Sequence, residues 1–215
     1  MFVRKMKDNG PCQQKSTKKY PFLFYLRGNV VIFGGGNVGM RKARSLSEHE
    51  LRVIVVDKKE IECDSGISFS RCEIDGTSFK KFIDGDTSLV VCSLDDPELN
   101  DKITNYCMEH SILVNNATSR SLGTVAFPAL IDSGDDVVAV SSMATCPQCA
   151  YALRRYISRE LPHMDTFSRL MHNLSDDGVL TRELVASILD DGELLSLIHI
   201  GWHEKALDRI RREHL

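Results

Sequence analysis

The stretch Asn29-Val-Val-Ile-Phe33 runs without a break into Gly34-Gly-Gly-Asn-Val-Gly39. Its first five residues are mostly apolar and β-branched, which is typical of a strand buried in a parallel sheet. The residues after the glycines have the apolar spacing of a helix. Strand, glycine-rich turn and helix in this order fit the G-x-G-x-x-G pattern of a dinucleotide-binding unit.

The loop requires glycine because of how the backbone must bind a cofactor. The backbone must turn sharply and let a pyrophosphate come close, so that the anion sits at the N-terminus of the following helix. We therefore expect Gly34, Gly36 and Gly39 to line the cofactor. The alternative is a glycine-rich turn without a ligand. The helix is predicted over residues 37–49, and its inward positions are expected to be Val38, Ala43 and Leu46.

The second predicted strand, residues 51–56, ends at Asp57, 18 residues after Gly39. A carboxylate there can accept hydrogen bonds from ribose hydroxyls and repels a 2′-phosphate, which favours NAD over NADP. Lys58 and Lys59 follow and could hold a phosphate, or they form a solvated turn that Asp57 caps. Ser93 follows another strand and is expected in the loop beside the cofactor.

Strands and helices alternate through the first half of the chain. Strands are predicted at residues 67–72, 88–92 and 112–114, with a helix over 97–110 whose start is marked by Asp95 and Asp96. Short connections between such elements predict a doubly wound, Rossmann-type parallel sheet.

The pattern changes near Asn115. Two apolar runs, 124–131 and 136–142, flank a turn-forming cluster and predict a hairpin. From Pro147 onward the chain reads as helical, with helices over 150–161, 181–190 and 194–212. We expect a flexible basic tail at 1–20, an NAD-binding Rossmann domain at 21–116, a β dimerisation region at 117–146, and a small helical domain at 147–215.

The composition limits the function classes. The 215 residues carry a formal charge of −3, which gives no reason to expect nucleic acid as a partner. No apolar run approaches the roughly 20 residues that span a bilayer, so we expect no membrane partner and a cytoplasmic protein. Seven scattered cysteines do not suggest a disulfide framework, and most are expected as reduced thiols.

Several segments together resemble the siroheme synthase N-terminal domain family, which comprises precorrin-2 dehydrogenases and sirohydrochlorin ferrochelatases. The resemblance covers residues 21–162, and its most specific part is Val137-Val-Ala-Val-Ser-Ser142 followed by Thr145 and Pro147. The other segments that carry it are 21–28, the glycine loop, Arg41-Lys-Ala-Arg44, Asn115, 124–131, Leu153, Arg154 and Arg155.

The resemblance implies a homodimeric, NAD-dependent enzyme that oxidises precorrin-2 to sirohydrochlorin, in some members with iron insertion as well. It adds the pairs Asn37-Val38 and Lys58-Lys59 as cofactor contacts. It also places Asn115 and Ser142 near the tetrapyrrole. Precorrin-2 carries eight carboxylates, for which guanidinium groups are suitable partners. The candidates are Arg120, Arg154 and Arg155, although a solvated helix face would look the same.

The chain departs from the family at Thr118. Bifunctional members have an aspartate at this position, which is the family's favoured catalytic carboxylate. A threonine hydroxyl is a poor base near neutral pH. Hydride transfer is the cofactor's chemistry, whereas metal insertion requires removal of pyrrole protons. We therefore expect a dehydrogenase with doubtful chelatase activity, whose catalytic group is unknown.

A second departure is Cys146-Pro-Gln-Cys149, at a predicted helix start. A C-x-x-C pair there resembles a redox or metal pair, because a helix N-terminus lowers a thiol pKa. It lacks a second Cys/His pair and the strand context of a thioredoxin, so two small capping residues are the alternative. His199 and His203 have the spacing of a metal pair, but an ordinary amphipathic helix explains them, and no metal site is predicted.

Two other functions remain open. A non-catalytic NAD-binding regulatory domain of the potassium-transport type shares the glycine loop and the acid after the second strand. It would continue with alternating strands and helices, whereas residues 124–155 turn to a hairpin and then to helix. A chelatase without redox activity is disfavoured by the intact nucleotide loop.

Overall fold

The computed structural model describes residues 23–49, 51–119, 121–132, 136–142, 146–160 and 164–215. Within these ranges, the first half of the chain forms a parallel sheet of five strands in the order β3-β2-β1-β4-β5. This is the doubly wound order 3-2-1-4-5-6 without its sixth strand, so the predicted fold class is confirmed. The strands are β1 (Asn29–Phe33), β2 (Arg52–Asp57), β3 (Ile67–Arg71), β4 (Thr87–Cys92) and β5 (Leu113–Asn116).

The central strand β1 is buried on both faces of this sheet. Val30 and Ile32 pack on one face against helix α1 (Asn37–Ser47). Val31 and Phe33 pack on the other face against helix α2 (Pro97–Glu109). Successive side chains of a strand point to opposite faces, so a continuous apolar run is what a sheet covered on both sides requires.

The buried face of α1 differs from the prediction at one position. Ala43 and Leu46 are buried as expected, together with Gly39 and Met40. Val38 is 42% exposed, so its predicted inward placement is wrong. It lies in the first turn of the helix, about 100° around the helix axis from buried Gly39, and therefore faces solvent.

After β5 the chain turns to a two-stranded antiparallel sheet with no crossover helix. It pairs β6 (Ala129–Asp132) with β7 (Val137–Val140), so the hairpin is confirmed, but its strands are shorter than predicted. The segment before β6 runs beside β5 instead, where the amides of Thr124 and Val125 both donate to the carbonyl oxygen of Val114. Most of the predicted turn, residues 133–135, lies outside the described residues. The hairpin departs from the strand–helix alternation that the regulatory alternative requires.

The rest of the described chain is helical. The helices are α3 (Pro147–Glu160), α4 (Met164–Asp176), α5 (Arg182–Asp190), α6 (Gly192–His199) and α7 (His203–Glu213). The last four enclose a separate apolar core that includes Leu170, Ile188 and Ile210. The start of α3 lies three residues earlier than predicted, α4 had no separate prediction, and Pro162 lies outside the described residues.

The prediction of a single helix over residues 194–212 is wrong, because the structure has two helices there. Gly201 has φ +74 and ends α6, with the amides of Gly201 and Trp202 bonded to the carbonyls of Ile198 and Leu197. This is the hydrogen-bond pattern of a Schellman cap, which favours glycine. His199 and His203 therefore lie on different helices, and their sequence spacing no longer describes one helix face. None of the helices in the described ranges is long and apolar enough to cross a membrane.

Candidate functional site

The glycine loop between β1 and α1 is held by close backbone approaches. Gly34 has φ +97, and a Cβ there would overlap the carbonyl oxygen of Ser93. A Cβ on Gly39 would overlap the carbonyl oxygen of Gly34. These two positions therefore need glycine to build the turn and to pack the helix on the strand.

Gly36 has a different role, because a Cβ placed there would meet no protein atom within 4 Å. It is exposed and occupies the N-cap position of α1, where no side chain caps the helix. The first turn also contains no acidic residue. The first amides of a helix have no partner within the helix and favour an anion. The open side of Gly36 is thus suited to a phosphate.

Asp57 connects the end of β2 to this loop. Its Oδ2 accepts a hydrogen bond of 2.7 Å from the amide of Gly35, and its Oδ1 accepts one of 2.9 Å from the amide of Lys59. Each carboxylate oxygen keeps a further lone pair, so these bonds leave acceptor capacity for a sugar hydroxyl. Lys58 and Lys59 are both exposed at the same strand end.

Ser93 lies directly under the loop. Its amide donates to the carbonyl oxygen of Phe33 at 2.8 Å, and its Oγ lies 3.0 Å and 2.9 Å from the carbonyl oxygens of Phe33 and Gly34. The hydroxyl thus supports the backbone of the loop. The structure brings together the glycines, Asp57 and Ser93 as the sequence predicted.

On the other side of α1, a lysine that the sequence reasoning did not select as a site residue joins three segments. Lys42 Nζ donates to the side-chain oxygen of Asn115, at the end of β5. Asn115 in turn donates through Nδ2 to the carbonyl oxygen of Val125 at 2.7 Å. The ammonium also lies 5.1 Å from the centroid of the Phe127 ring. The only sequence signal for Lys42 was its place in the Arg41–Arg44 motif.

Thr118 belongs to a network of buried amides. Its Oγ1 donates to Asn116 Oδ1 at 2.8 Å and accepts from Asn100 Nδ2 at 3.3 Å. Asn100 and Asn116 are almost fully buried, and Asn116 Nδ2 donates to Asp101 Oδ1 at 2.9 Å. The hydroxyl therefore lies among polar groups at the end of β5, and the side chain of Asn116 separates it from the Asp101 carboxylate. Sequence reasoning missed Asn100 and Asp101, because both lie within an ordinary amphipathic helix.

The other predicted substrate residues lie on the hairpin and α3. Ser142 Oγ accepts a hydrogen bond of 3.0 Å from the amide of Cys146. Arg154 Nε donates to the carbonyl oxygen of Leu130 and so fixes α3 on β6. The guanidinium of Arg155 lies 6.0 Å from the ring centroid of Tyr151 on the same helix. Arg120 lies outside the described residues.

Comparison with known proteins agrees with this geometry. A protein family described as "Putative NAD(P)-binding" matches residues 24–129. A siroheme synthase from Ectopseudomonas mendocina is 32% identical over 149 residues, which are 66% of this chain and 31% of that protein. A siroheme synthase from Pseudomonas aeruginosa PAO1 is 28% identical over 207 residues, 91% of this chain and 44% of that protein. The chain thus spans less than half the length of these relatives.

Among solved structures, a protein named SirC, precorrin-2 dehydrogenase, has a TM-score of 0.61. The match covers 90% of this chain and all of SirC at 19% identity, which establishes a shared fold that includes the hairpin and the helices. The fold and the loop define an NAD(P)-binding protein of the Rossmann type. Within that class, the chain is similar in sequence to siroheme synthases across about two thirds of its length and shares its fold with SirC.

Proposed function

We propose that this chain is an NAD-dependent precorrin-2 dehydrogenase that produces sirohydrochlorin. The observation that carries the proposal is the open side of Gly36 at the uncapped start of α1, beside Asp57. The hairpin and helices that follow are the part of the chain that distinguishes this family from other nucleotide-binding folds. The likeness to SirC over the whole of that protein supports the same activity.

The residues of the loop bind and orient the cofactor. Gly34 and Gly39 shape the turn, and the amides at the start of α1 bind the pyrophosphate. Asp57 accepts hydrogen bonds from the ribose hydroxyls, and its charge disfavours the 2′-phosphate of NADP. Asn37, Val38, Lys58 and Lys59 complete the cofactor contacts. When bound, NAD supplies the hydride acceptor.

The substrate is expected in the crevice at the carboxyl ends of β4 and β5, where ligands of open α/β sheets bind. Lys42 and Asn115 hold the segment before the hairpin at this edge. Arg120, Arg154, Arg155 and Ser142 are the candidates for contacts with the substrate carboxylates. Thr118 brings no carboxylate to the crevice, so metal insertion is expected to be weak. We expect the reaction in the cytoplasm, where pyridine nucleotides are available.

We also propose that the active form is a homodimer joined through the hairpin and α3. The hairpin is a two-stranded sheet, and Val137 on it is 51% exposed. On α3, Tyr151, Leu153 and Tyr156 are 55%, 51% and 62% exposed. Apolar side chains and strand edges of this kind favour association with a partner.

The test is incubation of the purified chain with precorrin-2 and NAD, followed by sirohydrochlorin absorbance. We expect product to accumulate with NAD and not without it. A chain that binds NAD but forms no sirohydrochlorin would overturn the proposed activity and leave only a nucleotide-binding function.

A further inference from the structure

Two cysteines that the proposed function does not use are bonded to each other at the start of α3. Cys146 and Cys149 form a disulfide, with their Cα atoms 5.3 Å apart. The sequence left this pair open, as a redox or metal pair or as two small capping residues, while most cysteines were expected to be reduced. Cys149 is exposed and Cys146 is partly buried, so the bond is accessible from solvent. The disulfide lies at the start of α3, after the β6–β7 hairpin, in what we call the hairpin–α3 region (β6, β7 and α3).

The other cysteines in the described ranges have a different environment. Cys92 and Cys107 are fully buried in the core of the sheet, and burial raises the pKa of each thiol to about 12. Cys63 and Cys72 are partly buried free thiols, and burial also raises the pKa of Cys63. Because the thiolate is the reactive form, thiol chemistry is suppressed at the buried sites.

The start of α3 gives the two sulfur atoms unequal roles. Cys146 directly precedes Pro147, the first residue of the helix. Its Sγ accepts a hydrogen bond of 3.2 Å from the amide of Cys149, which is the geometry of a side chain that caps a helix. A negative charge at this position is stabilised by the free amides and by the helix dipole. Cys146 is therefore the better leaving group, and Cys149 is the more accessible sulfur.

We propose that Cys146 and Cys149 form a reversible thiol–disulfide exchange site whose co-substrate is a dithiol reductant. A thiolate of the dithiol attacks Cys149 Sγ, the Cys146–Cys149 bond breaks, and Cys146 leaves as a thiolate. The second thiol of the dithiol then attacks its own sulfur in the mixed disulfide and releases Cys149. Two electrons and two protons pass from the dithiol to the pair, and the dithiol becomes a disulfide.

The same pair is connected to a predicted substrate residue. The amide of Cys146 donates to Ser142 Oγ, and α3 is fixed on β6 through Arg154. A change in the first turn of α3 is thus one hydrogen bond away from Ser142. The exchange site itself rests on the cysteine geometry alone and does not depend on the proposed dehydrogenase activity.

The test is a redox titration of the full chain in mixtures of reduced and oxidised dithiothreitol. Thiols are alkylated without denaturant and assigned by peptide mass mapping, which also separates Cys12 from the others. We expect Cys146 and Cys149 to become alkylated together in one two-electron transition that is reversible. Cys92 and Cys107 should stay unmodified, and the double variant Cys63→Ser, Cys72→Ser should titrate like the unmodified chain. Absence of a paired transition, or pairing of either cysteine with a different thiol, would overturn the proposal.

Single variants test the assigned roles. With glutathione disulfide, Cys146→Ser should retain glutathione on Cys149, whereas the unmodified chain should release it and close the internal disulfide. Cys146 in the Cys149→Ser variant should react with iodoacetamide roughly tenfold faster at neutral pH than Cys149 in Cys146→Ser, since it is the stabilised thiolate. A persistent mixed disulfide in the unmodified chain would contradict exchange, and equal alkylation rates would contradict the assignment of Cys146 as the leaving group.

Discussion

The nucleotide-binding sheet and the hairpin–α3 region differ in how completely they cover their own apolar surface. Every residue of β1 after Asn29 is buried, and apolar clusters cover both faces of the sheet. In the hairpin–α3 region, Val137 and Tyr156 are more than half exposed. The sheet therefore covers its own apolar faces and holds the loop in place. In the homodimer proposed above, a second copy would cover the apolar surface of the hairpin–α3 region.

Within the sheet, the largest expected effect follows from Gly36→Val. Because a Cβ at Gly36 meets no protein atom, the fold should tolerate the substitution while the side chain occupies the path of the pyrophosphate. We expect NAD affinity to fall at least about a hundredfold, or about 2.7 kcal/mol. Calorimetric titration with NAD measures this loss.

Gly85→Val is the matched control, since Gly85 is also exposed and its Cβ would also meet nothing. It should bind NAD like the unmodified chain, and both variants should keep the unmodified melting temperature. Full NAD affinity in a folded Gly36→Val protein would show that the phosphate does not approach this loop.

The next prediction concerns the end of β5. Thr118→Asp would place a carboxylate beside the buried amides of Asn100 and Asn116, which is the group that the family resemblance implies at this position. A positioned general base contributes about a hundredfold or more to a rate. We expect iron or cobalt insertion into sirohydrochlorin to rise by that order.

Thr118→Asn is the uncharged control and should leave metal insertion at the unmodified level. Dehydrogenase activity is expected in the unmodified chain and in both variants, measured on the same preparations. Efficient metal insertion by the unmodified chain would contradict this prediction. The next candidate for the base would then be Asp101, whose carboxylate contacts Asn116.

For the hairpin–α3 region, we expect Tyr156→Arg to weaken a dimer. A charge in the centre of an apolar interface costs about 2 kcal/mol, which is roughly a thirtyfold loss of association. Leu189→Arg is the control, because Leu189 on α5 is similarly exposed but lies outside this region. Light scattering across a dilution series compares the two variants. A monomeric unmodified chain at micromolar concentration would refute the dimer.

The smallest effect is expected for cofactor choice. Asp57→Asn keeps an oxygen that can accept from the amide of Gly35 but removes the charge that repels a 2′-phosphate. We expect the ratio of NAD affinity to NADP affinity to fall about tenfold, or about 1.4 kcal/mol. Asp64→Asn, which removes an exposed carboxylate that is paired with Arg44, should leave the preference unchanged. A preference of the unmodified chain for NADP would contradict the role of Asp57.

The sequence predicts the sheet well because its signals are local. Apolar runs such as 29–33 end at glycine or aspartate, so β1 and the loop were correctly placed. The break at Gly201 was missed, because one glycine inside a helical pattern also fits an uninterrupted helix. The bond from Lys42 to Asn115 spans 73 positions and depends on where the sheet places the end of β5 relative to α1, which no local pattern contains.

The most direct test of the account is the stoichiometry of the proposed reaction under anaerobic conditions. Precorrin-2 and NAD are mixed with the purified chain, and the absorbances of NADH and sirohydrochlorin are recorded together over time. We expect one NADH to form for each sirohydrochlorin, at a rate that is proportional to protein concentration and is lost in Gly36→Val. Sirohydrochlorin formed without NADH, or at the same rate with Gly36→Val, would contradict the proposed reaction.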